Sequence, residues 1–175
     1  TSLKPQSVIN KINEYYTKYS ANIFRGIYTI SEEATAEYEQ VREKVARFIH
    51  ASNKDEVVFT RNTTESINLV ARGMKKSDEV VASIMEHHSN FVPWQQLATI
   101  KIWELEKEGR LDLNELDKLI TRKTKVLAIT ALSNVLGTIN PIAQIVRIVK
   151  QISPACIVVV DAAQSVPHMP TDVQA

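Results

Sequence analysis

The chain has 175 residues, with 21 lysines and arginines against 20 aspartates and glutamates, a formal net charge of +1 and one cysteine. So even a charge balance argues against a polyphosphate-binding face, so nucleic acid is not an expected partner. No apolar run approaches the roughly 20 residues of a membrane span, no signal-peptide pattern opens the chain, and Cys156 alone excludes an internal disulfide, which fits a reducing compartment.

In chain order, Pro5 to Tyr19 reads as a helix, with Pro5 in the first turn and an apolar stripe through Val8, Ile12, Tyr15, Tyr16 and Tyr19. An irregular link from Asn22 to Thr29 follows. A longer helix is expected from Ser31 to His50, with Glu32 and Glu33 in its first turn and the stripe Tyr38, Val41, Val45, Phe48, Ile49. Glu56 to Thr60 reads as a strand. From there the pattern alternates. Helices are expected over Asn62–Met74, Phe91–Thr99, Asp112–Ile120 and Pro141–Gln151, and strands over Glu79–Ile84, Lys101–Leu105, Lys125–Thr130 and Ile157–Val160. Such alternation predicts βαβ units and an α/β fold with a mainly parallel sheet. Residues 1–30 read as a helical lead-in and link, and 31–175 as the α/β domain. The chain opens on Thr1 and runs out at Asp172-Val173-Gln174-Ala175 without an obvious ending, so a longer parent is expected.

Four polar clusters fall where predicted strands end, the edge at which open α/β sheets place ligands. The run Ile157-Val158-Val159-Val160, β-branched throughout and without alternation, suits a strand buried on both faces and delivers Asp161 at its end, with Gln164 three residues on. By itself Asp161 reads first as a turn former. Arg61-Asn62-Thr63-Thr64-Glu65 fits a capping signature and a phosphate cradle equally well. Glu86-His87-His88-Ser89-Asn90 offers an imidazole that can stack on a planar ring, with Trp94 and Gln95 as candidate framing residues; adjacent histidines project apart, so no metal site is expected. Ser133-Asn134-Val135-Leu136-Gly137-Thr138 holds an amide that either makes a turn or bonds a ligand oxygen. With four glycines in all and no G-x-G-x-x-G or Walker motif, dinucleotide and P-loop readings are weak. An anion cradle, a flat imidazole, an amide and a carboxylate on one sheet edge suit pyridoxal phosphate, whose ring nitrogen takes a carboxylate partner.

At these residues the sequence resembles the class V aminotransferase family, and within it the cysteine desulfurase and selenocysteine lyase branch. The matching stretches are Arg61 to Ala71, the specific run Glu86 to Gln95, Ser133 to Thr138 and Asp161-Ala162-Ala163-Gln164, with Arg25-Gly26-Ile27-Tyr28 and Pro167-His168-Met169-Pro170 in the same style. The resemblance implies part of a three-layer α/β/α large domain of PLP-dependent fold type I, with pyridoxal 5′-phosphate as cofactor. It implies Thr63 and Thr64 at the phosphate, His87 stacked on the ring, Asn134 near the phenolic oxygen and substrate, Asp161 at the ring nitrogen and Gln164 at the phenolic oxygen. His87 and Asp161 would be the catalytic pair. It further implies cysteine as substrate, a sulfur-acceptor protein, iron–sulfur cluster assembly, a cytoplasmic setting and a homodimer. The anchoring lysine and the sulfur-accepting cysteine of the family are expected beyond Ala175, and Thr1-Ser2 resembles the tail of an A-A-T-S motif. Selenocysteine lyase, another class V enzyme and a non-catalytic scaffold are the alternatives. Two positions depart from the branch: Ala131, usually histidine, and Ala162, commonly glycine.

Overall fold

A computed structural model describes residues 3–174, so the resemblance at Thr1-Ser2 lies outside the described residues. Contacts divide the chain into two units: one runs up to Val58 and takes in Asp172–Gln174, and the other is Phe59–Thr171.

The first unit is built on two helices, α1 (Gln6–Lys18) and α2 (Thr29–Phe48). Tyr15 meets Tyr16 and Tyr19 edge to face at centroid separations of 5.3 and 5.6 Å, an arrangement that suits ring quadrupoles. Arg42 on α2 pairs with Glu39 at 3.0 Å and donates from Nε to the Val57 carbonyl at 3.2 Å, tying down the chain after the helix.

The second unit holds a four-stranded parallel sheet of β1 (Glu79–Ser83), β2 (Thr99–Trp103), β3 (Thr124–Thr130) and β4 (Ile157–Asp161), in the order β2-β1-β3-β4. Alternation along each strand supplies two cores. Val81, Trp103, Leu127, Ile129 and Val158 face α5 (Leu116–Leu119) and α6 (Ile142–Ile152), joined by Leu116, Ile145, Val149 and Cys156. Val80, Ala82, Val126, Ala128 and Val159 face α3 (Thr63–Ala71) and α4 (Val92–Leu97), joined by Ile67, Ala71 and Trp94. The result is a three-layer α/β/α sandwich, as the family resemblance implies, around the parallel sheet that the alternating pattern predicts, and Cys156 is a core residue. Parallel register sets Thr130 opposite Asp161 at the carboxyl ends of β3 and β4.

The expected strand over Glu56–Thr60 does not form. Lys54–Glu56 is a turn of 3₁₀ helix capped by Asn53, whose Oδ1 accepts from the Asp55 N–H at 2.8 Å, and no strand of the sheet pairs with residues 57–60 among the described residues. Strand β2 lies two residues before its expected place. Leu105 instead bridges Leu111 in an antiparallel turn, with the Glu106 N–H bonded to the Arg110 carbonyl at 2.8 Å. The helix expected over Asp112–Ile120 is a 3₁₀ turn, Leu113–Glu115, running into the single-turn α5, because Asp112 caps the turn by accepting from the Asn114 N–H. The helices expected over Asn62–Met74 and Phe91–Thr99 end earlier, at Ala71 and Leu97.

Candidate active site

The carboxyl edge of the sheet opens into a cleft of about 280 Å³ lined by Asn62, Thr63, Thr64, His87, Ser89, Thr130, Leu132, Asn134, Asp161, Ala163 and Gln164. All six residues singled out from the sequence, Thr63, Thr64, His87, Asn134, Asp161 and Gln164, border this one space. Its volume lies just below the usual range for ligand sites, roughly 300–1,000 Å³.

The first wall is the start of α3. Asn62 caps the helix by accepting from the Glu65 N–H at 2.9 Å, and Glu65 reaches back to the Arg61 N–H at 2.7 Å and to the Arg61 guanidinium at 2.9 and 3.1 Å. The Glu65 N–H is taken by the cap, and Thr63 and Thr64, which open the first turn of α3 at the positive end of the helix dipole, line the cleft. The cap is therefore compatible with an anion at this end of the helix.

The second wall is the segment after β1. His87 precedes a 3₁₀ turn, His88–Asn90, and its Nδ1 accepts from the Ser89 N–H at 3.2 Å while lying 2.8 Å from the Ser89 hydroxyl. An Nδ1 that accepts from a backbone N–H has its lone pair engaged, so the neutral ring carries its proton on Nε2. The His87 and His88 rings are tilted at 57° with centroids 6.2 Å apart, and among the described residues no three histidine, cysteine or acidic side chains gather as a metal site. Trp94 and Gln95 do not frame the cleft: the indole of Trp94 is fully buried in the core below it, and Gln95 is exposed elsewhere on α4.

Asn134 sits on a loop closed by the Leu132–Ile139 bridge. The Ser133 N–H donates to the Thr138 carbonyl at 2.9 Å, and the Ser133 hydroxyl accepts from the Leu136 N–H at 3.2 Å. Gly137 has φ +71°, a left-handed conformation that a side chain would strain, so the glycine is what lets this loop turn Asn134 to the cleft rim.

Asp161 ends β4 with 7% of its surface exposed. Its Oδ1 accepts from the Ala163 N–H at 3.0 Å, and no cation is paired with it among the described residues. The turn that the sequence suggested is present, and making it does not take Asp161 away from the cleft, which it still borders. Ala162 keeps a φ outside the left-handed region, which is why alanine serves where glycine is common.

Glu86 is the residue that reasoning from the sequence passed over. Its Oε1 accepts from the Ser83 hydroxyl at 2.5 Å and the Thr130 N–H at 2.9 Å, and its Oε2 accepts from the Asn90 amide at 2.6 Å. Burial pushes its carboxyl above the usual glutamate range, and the nearby Asp161 charge adds to this, while the three donors pull the other way without cancelling it. Its position inside the Glu86-His87-His88-Ser89-Asn90 run was the available signal; the long-range partner Thr130 was not visible in sequence.

As a set, these groups suit a flat, anionic, ring-nitrogen ligand: helix N–H groups and hydroxyls for a phosphate, an imidazole face, amides for a ring oxygen and a cation-free carboxylate for a protonated nitrogen.

Comparison with known proteins is consistent with this donor set. The family model described as aminotransferase class-V matches residues 1–175. The chain is 47% identical over 189 residues to a probable cysteine desulfurase of Streptomyces coelicolor, which covers all of this chain and 45% of that protein. It is 46% identical over 182 residues to a cysteine desulfurase of Yersinia pseudotuberculosis, covering 98% of this chain and 44% of that protein. Its fold superposes on the apo structure of a cysteine desulfurase from Thermococcus onnurineus NA1 with a TM-score of 0.89 at 42% identity, covering 99% of this chain and 45% of that one. The chain thus spans a little under half the length of the relatives it matches.

Proposed function

The chain belongs to the class-V aminotransferase family, and from that premise we propose that it forms the cofactor-binding part of a pyridoxal-phosphate-dependent cysteine desulfurase. The observation that carries this reading is the convergence of the start of α3 and three strand-end segments on one cleft, which the buried Asp161, without a paired cation among the described residues, shares with Thr63 and Thr64.

When bound, pyridoxal phosphate supplies an electron sink for negative charge developing on a substrate carbon. Thr63 and Thr64 bind the phosphate through hydroxyls and the first-turn N–H groups of α3, where the helix dipole favours an anion. His87 presents a flat face to the ring, and Ser89 fixes its orientation. Asp161 holds a proton on the ring nitrogen, because a nearby negative charge favours the protonated form. Gln164 and Asn134 donate to the phenolic oxygen, and Asn134 also meets the substrate. In this reading the lysine that anchors the cofactor and the cysteine that accepts sulfur belong to the protein past residue 175. The whole protein then converts L-cysteine to alanine with a persulfide on that cysteine, and passes the sulfur to an acceptor protein as a homodimer.

The test is an assay of the whole protein, loaded with pyridoxal phosphate, for alanine release from L-cysteine and from L-selenocysteine, beside the 175-residue chain alone. Turnover of cysteine by the whole protein and none by the chain alone is expected. Turnover of selenocysteine only, or of neither substrate, contradicts the desulfurase reading.

A further inference from the structure

We infer that Glu86 is the positioning residue of this cleft, locking the His87 segment to the strand end that carries Asp161. The inference rests on the pyridoxal-phosphate reading of the site. Glu86 does not line the cleft, yet it stands between two of its walls. On one side, the Asn90 amide donates to its Oε2 at 2.6 Å, and Asn90 in turn accepts from the Trp94 indole N–H at 3.2 Å, so the 3₁₀ turn that follows His87 is held from below. On the other side, Thr130 donates its backbone N–H to Oε1 at 2.9 Å, while the Thr130 hydroxyl lies 3.4 Å from the Asp161 carbonyl that it faces across the β3–β4 ladder. The Ser83 hydroxyl, fully buried at the end of β1, completes the set at Oε1.

Every partner of Glu86 is a neutral donor, and Ser83, Asn90 and Trp94 are wholly buried. A buried carboxylate held this way costs stability unless its bonds are all made, so its retention by geometry alone would be expensive. What the bonds accomplish is to fix the distance between an imidazole and a carboxylate that lie 74 residues apart in the chain, from His87 to Asp161. Residues of this kind act on a ligand through the groups that touch it.

The circuit has a direction that can be reversed. Donation runs from Trp94 to Asn90 and from Asn90 to Glu86. Glu86→Gln points an amide N–H at the Asn90 amide and breaks it. Adding Asn90→Asp restores it: the new amide donates to the new carboxylate, which also accepts from Trp94, and net charge is unchanged.

The experiment measures pyridoxine 5′-phosphate, which lacks the aldehyde and binds without a covalent bond, on the whole protein by titration calorimetry. Glu86→Gln should weaken binding about tenfold, the range for a lost bond to a charged group, and the Glu86→Gln/Asn90→Asp double variant should return to within about threefold of wild type. Unchanged affinity in Glu86→Gln overturns the inference, as does a folded double variant that fails to recover. Should Glu86→Gln not fold, Ser83→Ala takes its place, and unchanged affinity there overturns it. Failure of the wild type to bind the probe counts against the cofactor reading instead. Hydrogen exchange at the Trp94 indole N–H, measured without ligand, then decides this inference: faster in Glu86→Gln and restored in the double variant supports it, and equal rates in all three contradict it.

Discussion

Strand β1 begins with the carboxylate of Glu79 and ends at Ser83, which bonds the carboxylate of Glu86 just beyond it, and the two are treated in opposite ways. At the amino edge of the sheet, Glu79 accepts from the Lys101 ammonium at 2.8 Å, from the Thr121 hydroxyl at 3.1 Å and from the Thr124 hydroxyl at 2.5 Å. Beside it, Asp78 takes the Lys125 ammonium at 3.0 Å and the Lys75 N–H at 2.8 Å. At the carboxyl edge, Glu86 and Asp161 meet only neutral donors among the described residues. Burial by itself would raise Glu79, but Lys101 and the two threonines outweigh it and hold the carboxyl below its usual range, whereas burial and Asp161 carry Glu86 above it. One edge is electrostatically closed and serves the fold. The other keeps an unanswered negative field beside a cleft, which is the arrangement expected of a ligand site.

The sharpest way to break this contrast is at Asp161. Asp161→Ala in the whole protein should still bind pyridoxal phosphate but lose about 10²–10³-fold in turnover, the scale for removing one preorganised electrostatic partner. Unchanged turnover, followed by alanine release, would remove Asp161 from the chemistry. Next in size is the phosphate cradle. Thr64→Val deletes one hydroxyl at the start of α3 and should weaken pyridoxal-phosphate binding about tenfold in a spectrophotometric titration, with little change in melting temperature.

The amino edge should behave otherwise. Glu79→Gln is expected to leave turnover intact and to lower unfolding stability by about 1 kcal/mol near neutral pH, read by urea denaturation. Loss of turnover there would mean that the two edges are not divided by role.

The smallest effect is in the pH dependence, where the two ends of β1 should differ in sign. The Glu79 pKa in the folded protein lies below its ordinary value of 4.5, so its stabilisation is complete above that value and disappears as pH falls through the depressed one. The Glu86 pKa lies above 4.5, so its contribution is complete below that value and is lost as pH rises through the raised one. Denaturation curves from about pH 3 to pH 7 should therefore show the advantage of wild type over Glu79→Gln growing as pH rises toward 4.5 and that over Glu86→Gln shrinking as pH rises above it. Two curves of the same slope would contradict the assignment.

Much of this was legible in the chain itself. The alternation of strands with helices pointed to the parallel sheet, but the Ile157–Val160 run is not buried on both faces as its unbroken apolar character suggested: β4 is the edge strand among the described residues, with Ile157 and Val160 exposed, because composition shows a strand's character and not its place in the sheet. The four polar clusters were legible because their residue types, not their partners, point to chemistry, although only three of them follow a strand. Residues 56–60 misled because Val57, Val58 and Phe59 have strand composition, while a strand exists only by pairing, and the sheet offers no partner there. Glu86 was missed for the same kind of reason: its meaning lies in Thr130, 44 residues away, which no local pattern reveals.

The account stands or falls on where the cofactor sits. A crystal structure of the whole protein with pyridoxal phosphate should place the phosphate at the Thr63–Thr64 end of α3, the ring against His87 and the ring nitrogen at Asp161. A phosphate bound elsewhere, or a ring whose nitrogen faces any group but Asp161, would contradict it.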